Sequence, residues 1–297
     1  MARSRSHHAS PTGTRDVVIT GASRGFGRLI AARLAARGWR VFATMRDTSA
    51  RAALDQAVAA AGADPASVTV LPLDVLRPDS IEAAVSQVLE RTGGRLDAVV
   101  PNAGIFVAGA FENTPAEAIR RVMETNYFGV IETVRATLPA LRAAHGRIVL
   151  ISSDSGLCGT PSLSGYTASK YAIEGWGESV SYELGPLGVA LSIVEPGPFR
   201  TDILLTPEIH RSAPEGPYAA LSDVTETALR SLGSNAPDPD PVVAAVVKAL
   251  SAKKPRLRYP VGAEARLISA CKGVLPHRVF GFVVLRATGM THRRPHG

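Results

Sequence analysis

The sequence predicts a single α/β domain built on a doubly wound parallel sheet of seven strands, and three observations carry that expectation. Seven short runs rich in apolar and β-branched residues fall at 16–20, 40–45, 68–73, 97–101, 147–152, 189–194 and 256–261, separated by stretches of helical periodicity. Strands that alternate with helices pair in parallel, because a crossover helix is what returns the chain to the same edge of the sheet. The first run leads through a glycine-rich loop into an apolar-periodic stretch that ends at Arg37, the order strand, loop, helix. A chain of 297 residues with 45% hydrophobic content is also long enough to bury one large core.

In chain order, the strand D16-V-V-I-T20 runs into G21-A-S-R-G25-F-G27. Glycines there permit a tight turn and close backbone approach, and the following helix N-terminus offers free N–H groups to a pyrophosphate. The spacing is G-x-x-x-G-x-G rather than G-x-G-x-x-G. The second strand, R40-V-F-A-T-M45, ends at Arg46, where a dinucleotide-binding fold reads the adenosine ribose. An acidic residue there accepts hydrogen bonds from both ribose hydroxyls, whereas an arginine accommodates a 2′-phosphate. Arg46, helped by Arg24 in the loop, therefore favours NADP(H) over NAD(H), and Asp47 is the neighbour that argues the other way.

The run I148-V-L-I-S-S153 ends in two serines, and a helix over 165–184 places Tyr166 and Lys170 four positions apart on one face. A phenol titrates near pH 10, and adjacent positive charge favours its ionised form. Lowering that value by roughly 3 units takes about 4 kcal/mol, which an exposed pair does not supply. The pair thus predicts a closed site with a bound cofactor. Period-two alternation lets only one of Ser152 and Ser153 face Tyr166.

In order and spacing these motifs resemble the short-chain dehydrogenase/reductase family, over about residues 15–262. The loop T20-G-A-S-R-G-F-G27 resembles the family's cofactor loop and assigns Gly21, Ser23, Arg24, Gly25, Phe26 and Gly27 to the dinucleotide. L73-D74-V75 resembles the segment beside the adenine, which adds Asp74 and Val75. N102-A-G104 resembles the turn beneath the cofactor, formed by Asn102, Ala103 and Gly104. The stretch E195-P-G-P-F-R-T201 resembles the turn that backs the nicotinamide carboxamide, with Pro196, Gly197, Phe199 and Thr201. Asn126, Ser153, Tyr166 and Lys170 take the catalytic places, the motif spacing selecting Ser153 over Ser152.

The resemblance implies a Rossmann fold and a reaction in which hydride passes from NADPH to a carbonyl carbon while Tyr166 gives its proton to the oxygen. Ser153 then orients that oxygen. Lys170, also a cofactor contact, holds the nicotinamide ribose and depresses the Tyr166 pKa, and Asn126 fixes a water that links Lys170 to solvent. A43-T-M-R-D47 and the long C-terminal part most resemble hydroxysteroid and retinol dehydrogenases, which implies a fairly large apolar substrate. A 3-oxoacyl thioester or a secondary-metabolite ketone is an alternative, and a non-catalytic dinucleotide-binding regulator is the alternative of another class. One departure is Pro101, where many relatives carry asparagine; since proline donates nothing to a ladder, the fourth strand should stop there or pair on one side.

Around the catalytic domain, 15–262, residues 1–14 read as a disordered tail without the apolar core of a signal peptide. The proline-rich segment 199–241 is longer than an ordinary connection and reads as a substrate lid with short helices. Residues 263–297 form a helical extension and tail; packing onto the active-site mouth or a partner subunit is the first expectation, and membrane-surface attachment is less favoured. No stretch there is long enough to span a bilayer. The resemblance further implies a homodimer or homotetramer that pairs helices within 115–143 and 165–184. Net charge +7 is scattered rather than gathered on one face, so nucleic-acid binding is not expected. Two cysteines, Cys158 and Cys271, do not make a disulfide framework and agree with a cytoplasmic setting. No metal is assigned to His7, His8, His292 or His296, which stand in the two tails.

Overall fold

A computed structural model of the chain describes residues 13–272 and 274–287. The expectations for residues 1–12 and 288–297 lie outside the described residues. The chain enters through β1 (Arg15–Ile19), α1 (Gly25–Ala35), β2 (Trp39–Met45), α2 (Arg51–Ala60) and β3 (Val68–Pro72). It continues through α3 (Pro78–Thr92), β4 (Ala98–Val100), β5 (Val107–Gly109), α4 (Ala116–Met123), α5 (Gly129–Ala144) and β6 (Arg147–Ile151). The second half comprises α6 (Ser164–Leu184), β7 (Ala190–Pro196), α7 (Asp202–Leu205), β8 (Glu208–His210), α8 (Ala219–Asn235), α9 (Asp240–Ser251) and β9 (Arg258–Val261). Two helices, α10 (Ala263–Cys271) and α11 (His277–Ala287), follow.

Seven strands form one sheet in the order β3-β2-β1-β4-β6-β7-β9, every neighbouring pair parallel. The Rossmann-type sheet expected from the alternation of runs and helices is therefore present. The chain winds outward from β1 to β3, then crosses back to place β4 on the other side of β1. At that reversal the connections leave in opposite directions and open a crevice at the C-terminal ends of the strands.

Both faces of the sheet are covered, which is why its strands are apolar along their whole length rather than alternating. Val17 and Ile19 of β1 pack with Ile30 and Leu34 of α1 and Val246 of α9, whereas Val18 between them packs on the opposite face with Phe42, Val99, Ile148 and Ile173. Neighbouring side chains on one strand thus serve two different cores.

The strand stop expected at Pro101 is present, although the run at 97–101 is shorter than expected, and one small sheet was not expected. β4 covers only three residues and stops at Val100, so Pro101 falls just past the ladder, although its carbonyl still accepts from the Ile151 N–H at 3.4 Å. The strand ends because proline has no N–H to give. In addition, β5 and β8 pair in parallel as a separate two-stranded sheet, Val107 opposite Glu208 and Gly109 opposite His210. Three-residue strands carry no periodic signal, so neither was readable from the sequence.

Behind the sheet's C-terminal edge, the Arg258 guanidinium on β9 joins three carboxylates. It donates to Glu195 of β7 at 2.8 Å and to Glu178 of α6 at 2.9 Å, and also contacts Glu174 of α6. The Glu195 side chain is fully buried. Burial first, then the neighbouring Glu174 charge, pushes the Glu195 carboxyl up to about 7, while Arg258 pulls it back. Removing the guanidinium leaves buried carboxylates without a cation, so Arg258→Leu is expected to cost about 3 kcal/mol in urea unfolding at pH 7.5. The loss should shrink at pH 5.5, where the carboxyls take up protons; a pH-independent loss below about 1 kcal/mol would contradict this account.

Candidate active site

The crevice at the strand reversal is built first from backbone. Gly21 and Gly25 hold φ of +68° and +56°, the left-handed region that glycine enters without strain. Gly27 lacks space rather than torsional freedom: a Cβ there would fall on the Gly21 carbonyl oxygen and 2.5 Å from Asn102 Nδ2. Asn102 Nδ2 in turn donates to the carbonyls of Thr20 (2.9 Å) and Gly21 (3.2 Å), and the Thr20 hydroxyl accepts from the N–H groups of Asn102 and Ala103, each at 3.0 Å. The glycine loop and the 102–104 turn are thereby locked together. Their joint surface turns the N-terminus of α1 toward the crevice, the direction a dinucleotide's pyrophosphate requires.

Of the residues expected to hold the cofactor, Gly21, Ser23, Arg24, Gly25, Phe26, Arg46, Asp74, Val75, Asn102, Ala103, Gly104, Tyr166, Lys170 and Thr201 line this one cleft. Gly27, Pro196, Gly197 and Phe199 stand behind its lining. Phe199 is buried and meets the Phe26 ring edge-on at 6.5 Å, and the Gly197 N–H donates to the Val261 carbonyl at 2.9 Å. Arg24 and Arg46 are both exposed on the cleft wall. Asp47 turns away from it: its carboxylate accepts from the Ser49 N–H at 2.9 Å and hydroxyl at 2.6 Å, closing the short turn after β2. Those bonds hold its carboxyl below the usual range.

The four expected catalytic residues come from three elements that converge at the cleft, where Tyr166 and Lys170 line the wall together with Ser152, while Ser153 and Asn126 stand behind it. Ser153 follows β6, Tyr166 and Lys170 occupy the first two turns of α6, and Asn126 sits in a π-helical turn, Glu124–Phe128, between α4 and α5. Lys170 is buried; its Nζ donates to the Ile151 carbonyl at 3.0 Å and lies 5.7 Å from the Tyr166 ring centre. Asn126 is also buried and uses its whole amide: Oδ1 accepts from Ile105 N–H at 2.8 Å, and Nδ2 donates to the Ile105 carbonyl at 2.9 Å and Ser169 Oγ at 3.1 Å. The side chain clamps the 102–105 turn to α6. Both amide hydrogens are thus engaged, while the π turn breaks the main-chain i→i−4 pattern beside it.

The Tyr166 phenol is pushed up rather than down. Burial is the chief cause, the Ser153 hydroxyl acts against it, and the Asp154 charge adds to it. Burial also lowers the Lys170 ammonium to about 8, against an upward pull from Glu174. The protein alone, then, keeps the phenol protonated and makes the lysine easy to discharge. Around Tyr166 the walls are apolar: Phe106 packs edge-on at 4.8 Å, with Leu163, Ile203, Ile209 and Leu229 nearby.

With the site's geometry in hand, its likeness to known proteins is consistent along the chain. The family profile for short chain dehydrogenase matches residues 15–208. A 3-ketodihydrosphingosine reductase of Bacteroides thetaiotaomicron is 32% identical over 276 residues, covering 90% of this chain and 96% of that protein. The human 17-beta-hydroxysteroid dehydrogenase type 1 is 35% identical over 258 residues, covering 82% and 76%. Among solved structures, a short-chain dehydrogenase from Streptomyces avermitilis superposes with a TM-score of 0.76 at 35% identity, covering 92% of this chain and 95% of that one.

One polar neighbour was not singled out in the sequence. Asp154 follows Ser153 directly, and its Oδ1 accepts the Ser153 hydroxyl proton at 2.9 Å. Its signal was only an acidic residue beside a serine, and no spacing rule marks that. Burial, then Glu264 on α10, raises its carboxyl from 3.8 to about 6. An acid whose folded pKa is raised destabilises the fold where it is ionised, above about 6, and not below its unfolded value. Asp154→Asn, which keeps an acceptor for Ser153, should thus stabilise the protein by up to about 3 kcal/mol at pH 7.5. The gain should fade between pH 6 and 4 in parallel thermal melts; a gain equal at pH 4 and 7.5 would contradict it.

Proposed function

The chain belongs to the short-chain dehydrogenase family of oxidoreductases, which use a nicotinamide dinucleotide, and from that membership we propose an NADP(H)-dependent reductase of a ketone or aldehyde on a fairly large apolar substrate. The observation that carries the reading is that Tyr166 and a buried Lys170, its Nζ 5.7 Å from the Tyr166 ring centre, both line the glycine-loop cleft, with the Ser153 hydroxyl beside the phenol. When bound there, the nicotinamide supplies the hydride; the protein supplies position and protons.

Tyr166 donates its proton to the substrate oxygen, the atom on which negative charge grows, and the Ser153 hydroxyl orients that oxygen. Burial favours this direction, since it keeps the phenol loaded with the proton it must give. Lys170, held on the Ile151 carbonyl at the cleft wall, supplies positive charge beside the phenol. With its amide occupied, Asn126 serves by holding the 102–105 turn and offering main-chain groups at the π turn. The glycine loop, Asp74, Val75 and the 102–104 turn hold the adenosine and pyrophosphate parts, and Pro196, Gly197, Phe199 and Thr201 back the nicotinamide end.

Preference for NADP(H) rests on Arg46 and Arg24, two exposed guanidinium groups on the cleft wall where a 2′-phosphate would lie, together with the turned-away Asp47 carboxylate. The apolar wall of Phe106, Leu163, Ile203, Ile209 and Leu229 supports an apolar substrate. The names of the two relatives point the same way, toward a keto-lipid and a steroid. Segment 199–241 contributes Ile203, Ile209 and Leu229 to that wall and acts as the lid, and 263–297 is an extension of the catalytic domain. Described helices α5 and α6 are the surfaces proposed for self-association, and no described helix is long and apolar enough to cross a membrane.

Tyr166→Phe should keep NADPH binding and lose ketone reduction by several orders of magnitude, read as NADPH absorbance over a panel of steroids, long-chain ketones and acyl thioesters; unchanged turnover would remove Tyr166 as the proton donor. Arg46→Ala should weaken NADPH by roughly ten- to a hundredfold and leave NADH nearly unchanged in binding titrations, because only the former carries the 2′-phosphate. Equal weakening of both would move the 2′-phosphate away from Arg46.

A further inference from the structure

A helix N-terminus leaves unsatisfied N–H groups that a nearby side chain usually caps. At α1 no such local partner exists: the capping residue, Arg24, makes no side-chain bond to the helix, and the first turn, Gly25-Phe26-Gly27-Arg28, contains no acid. The carboxylate that fills this role comes from 177 positions away. Asp202 Oδ2 accepts the Gly25 N–H at 3.0 Å, and the Thr201 and Asp202 side chains close over Gly25, 3.7 and 4.0 Å from where a Cβ would stand. Both Gly25 and Asp202 line the cofactor cleft. A carboxylate and a pyrophosphate oxygen answer to the same donors and the same positive helix end, and two anions do not share it.

We propose that Asp202 is an internal anion standing in for the cofactor pyrophosphate at α1, and that dinucleotide binding exchanges the two and frees the arm 201–206 from the glycine loop. The inference rests on the cofactor cleft assigned above. The arm is a small unit with its own turn: the N–H groups of Leu204 and Leu205 return to the Thr201 carbonyl, and Thr206 returns to Asp202. Its base is tied down where the Arg200 N–H meets the Pro237 carbonyl at 2.9 Å. Next to Asp202, Ile203 packs in the cluster that holds Tyr166. Exchange at Gly25 therefore moves a residue of the substrate wall, so the cofactor enters first and its arrival reshapes the place where the ketone binds. Asp202 sets cofactor affinity by competition, and because it opposes the pyrophosphate it acts alike on NADH and NADPH.

The test uses the intact chain and Asp202→Asn, with calorimetric titration of ADP-ribose, which carries the pyrophosphate but no nicotinamide, and of adenosine 2′-phosphate, which carries no pyrophosphate. The variant should bind ADP-ribose about tenfold more tightly, equivalent to about 1.4 kcal/mol, and adenosine 2′-phosphate unchanged. Hydrogen exchange supplies a readout independent of the variant: in the wild-type protein, saturating ADP-ribose should speed exchange at the amides of 204–206 while slowing it at Gly25–Gly27. Equal or weaker ADP-ribose binding by the variant, or protection of 204–206 on binding, overturns the exchange of anions. Failure of the wild-type protein to bind any dinucleotide overturns instead the cofactor cleft itself, and this inference with it.

Discussion

Everything at the functional end of this molecule depends on how closely two pieces of backbone approach at the reversal of the sheet. Gly21 and Gly27 on one side and Asn102 and Ala103 on the other sit so near that a Cβ on Gly21 would lie 2.8 Å from Ala103 Cα. The Asn102 amide and the Thr20 hydroxyl make this contact specific, because the amide donates to carbonyls just past β1 and the hydroxyl accepts from N–H groups just past β4. From that lock follow the direction of α1, the depth of the cleft, and the position of the 102–105 turn that Asn126 then fixes to α6. Tyr166 and Lys170 are placed by the same chain of contacts.

A second constraint is the handling of buried charge. Lys170 lies below the cleft, and one helical turn further on Glu174 carries the opposite charge toward Arg258, Glu178 and Glu195. Such a cluster costs desolvation that its internal attractions only partly return, so its stability value is modest while its sensitivity to losing one member is large. It ties β7, β9 and α6 together behind the catalytic floor. Buried Glu174 and Glu195 each retain an oxygen with no geometric hydrogen-bond partner among the described residues, and burial pushes both carboxyls up toward their neutral forms.

The substrate side is made differently. There, the short α7 and β8 and Leu229 in the second half of α8 cover Tyr166 with aliphatic side chains, and β8 gains its pairing by meeting β5. Beyond β9, α10 sets Ala265 into the core and faces the turn that carries Asp154, while Val274, Val279 and Phe282 are exposed. The rigid sheet thus positions cofactor and proton donor, and adaptable loops bound the space where the substrate is recognised.

How much was legible in the sequence divides along the same line. Periodicity, the glycine spacing and the Y-x-x-x-K interval are local properties, so the seven parallel strands, the strand end before Pro101 and the meeting of Tyr166 with Lys170 were readable before any coordinates. Three-residue strands, the partners of Asn126, the bond from Ser153 to Asp154 and the carboxylate of Asp202 at Gly25 join positions without a shared period. The sign of the Tyr166 shift was decided there too. A lysine four residues away favours an acidic phenol, whereas burial, which depends on everything packed around the ring, pushes the same group up in the protein alone. Chain-local geometry determined which groups the protein carries; desolvation and contact across the fold, set only when distant segments meet, decided what charge they hold and whom they touch.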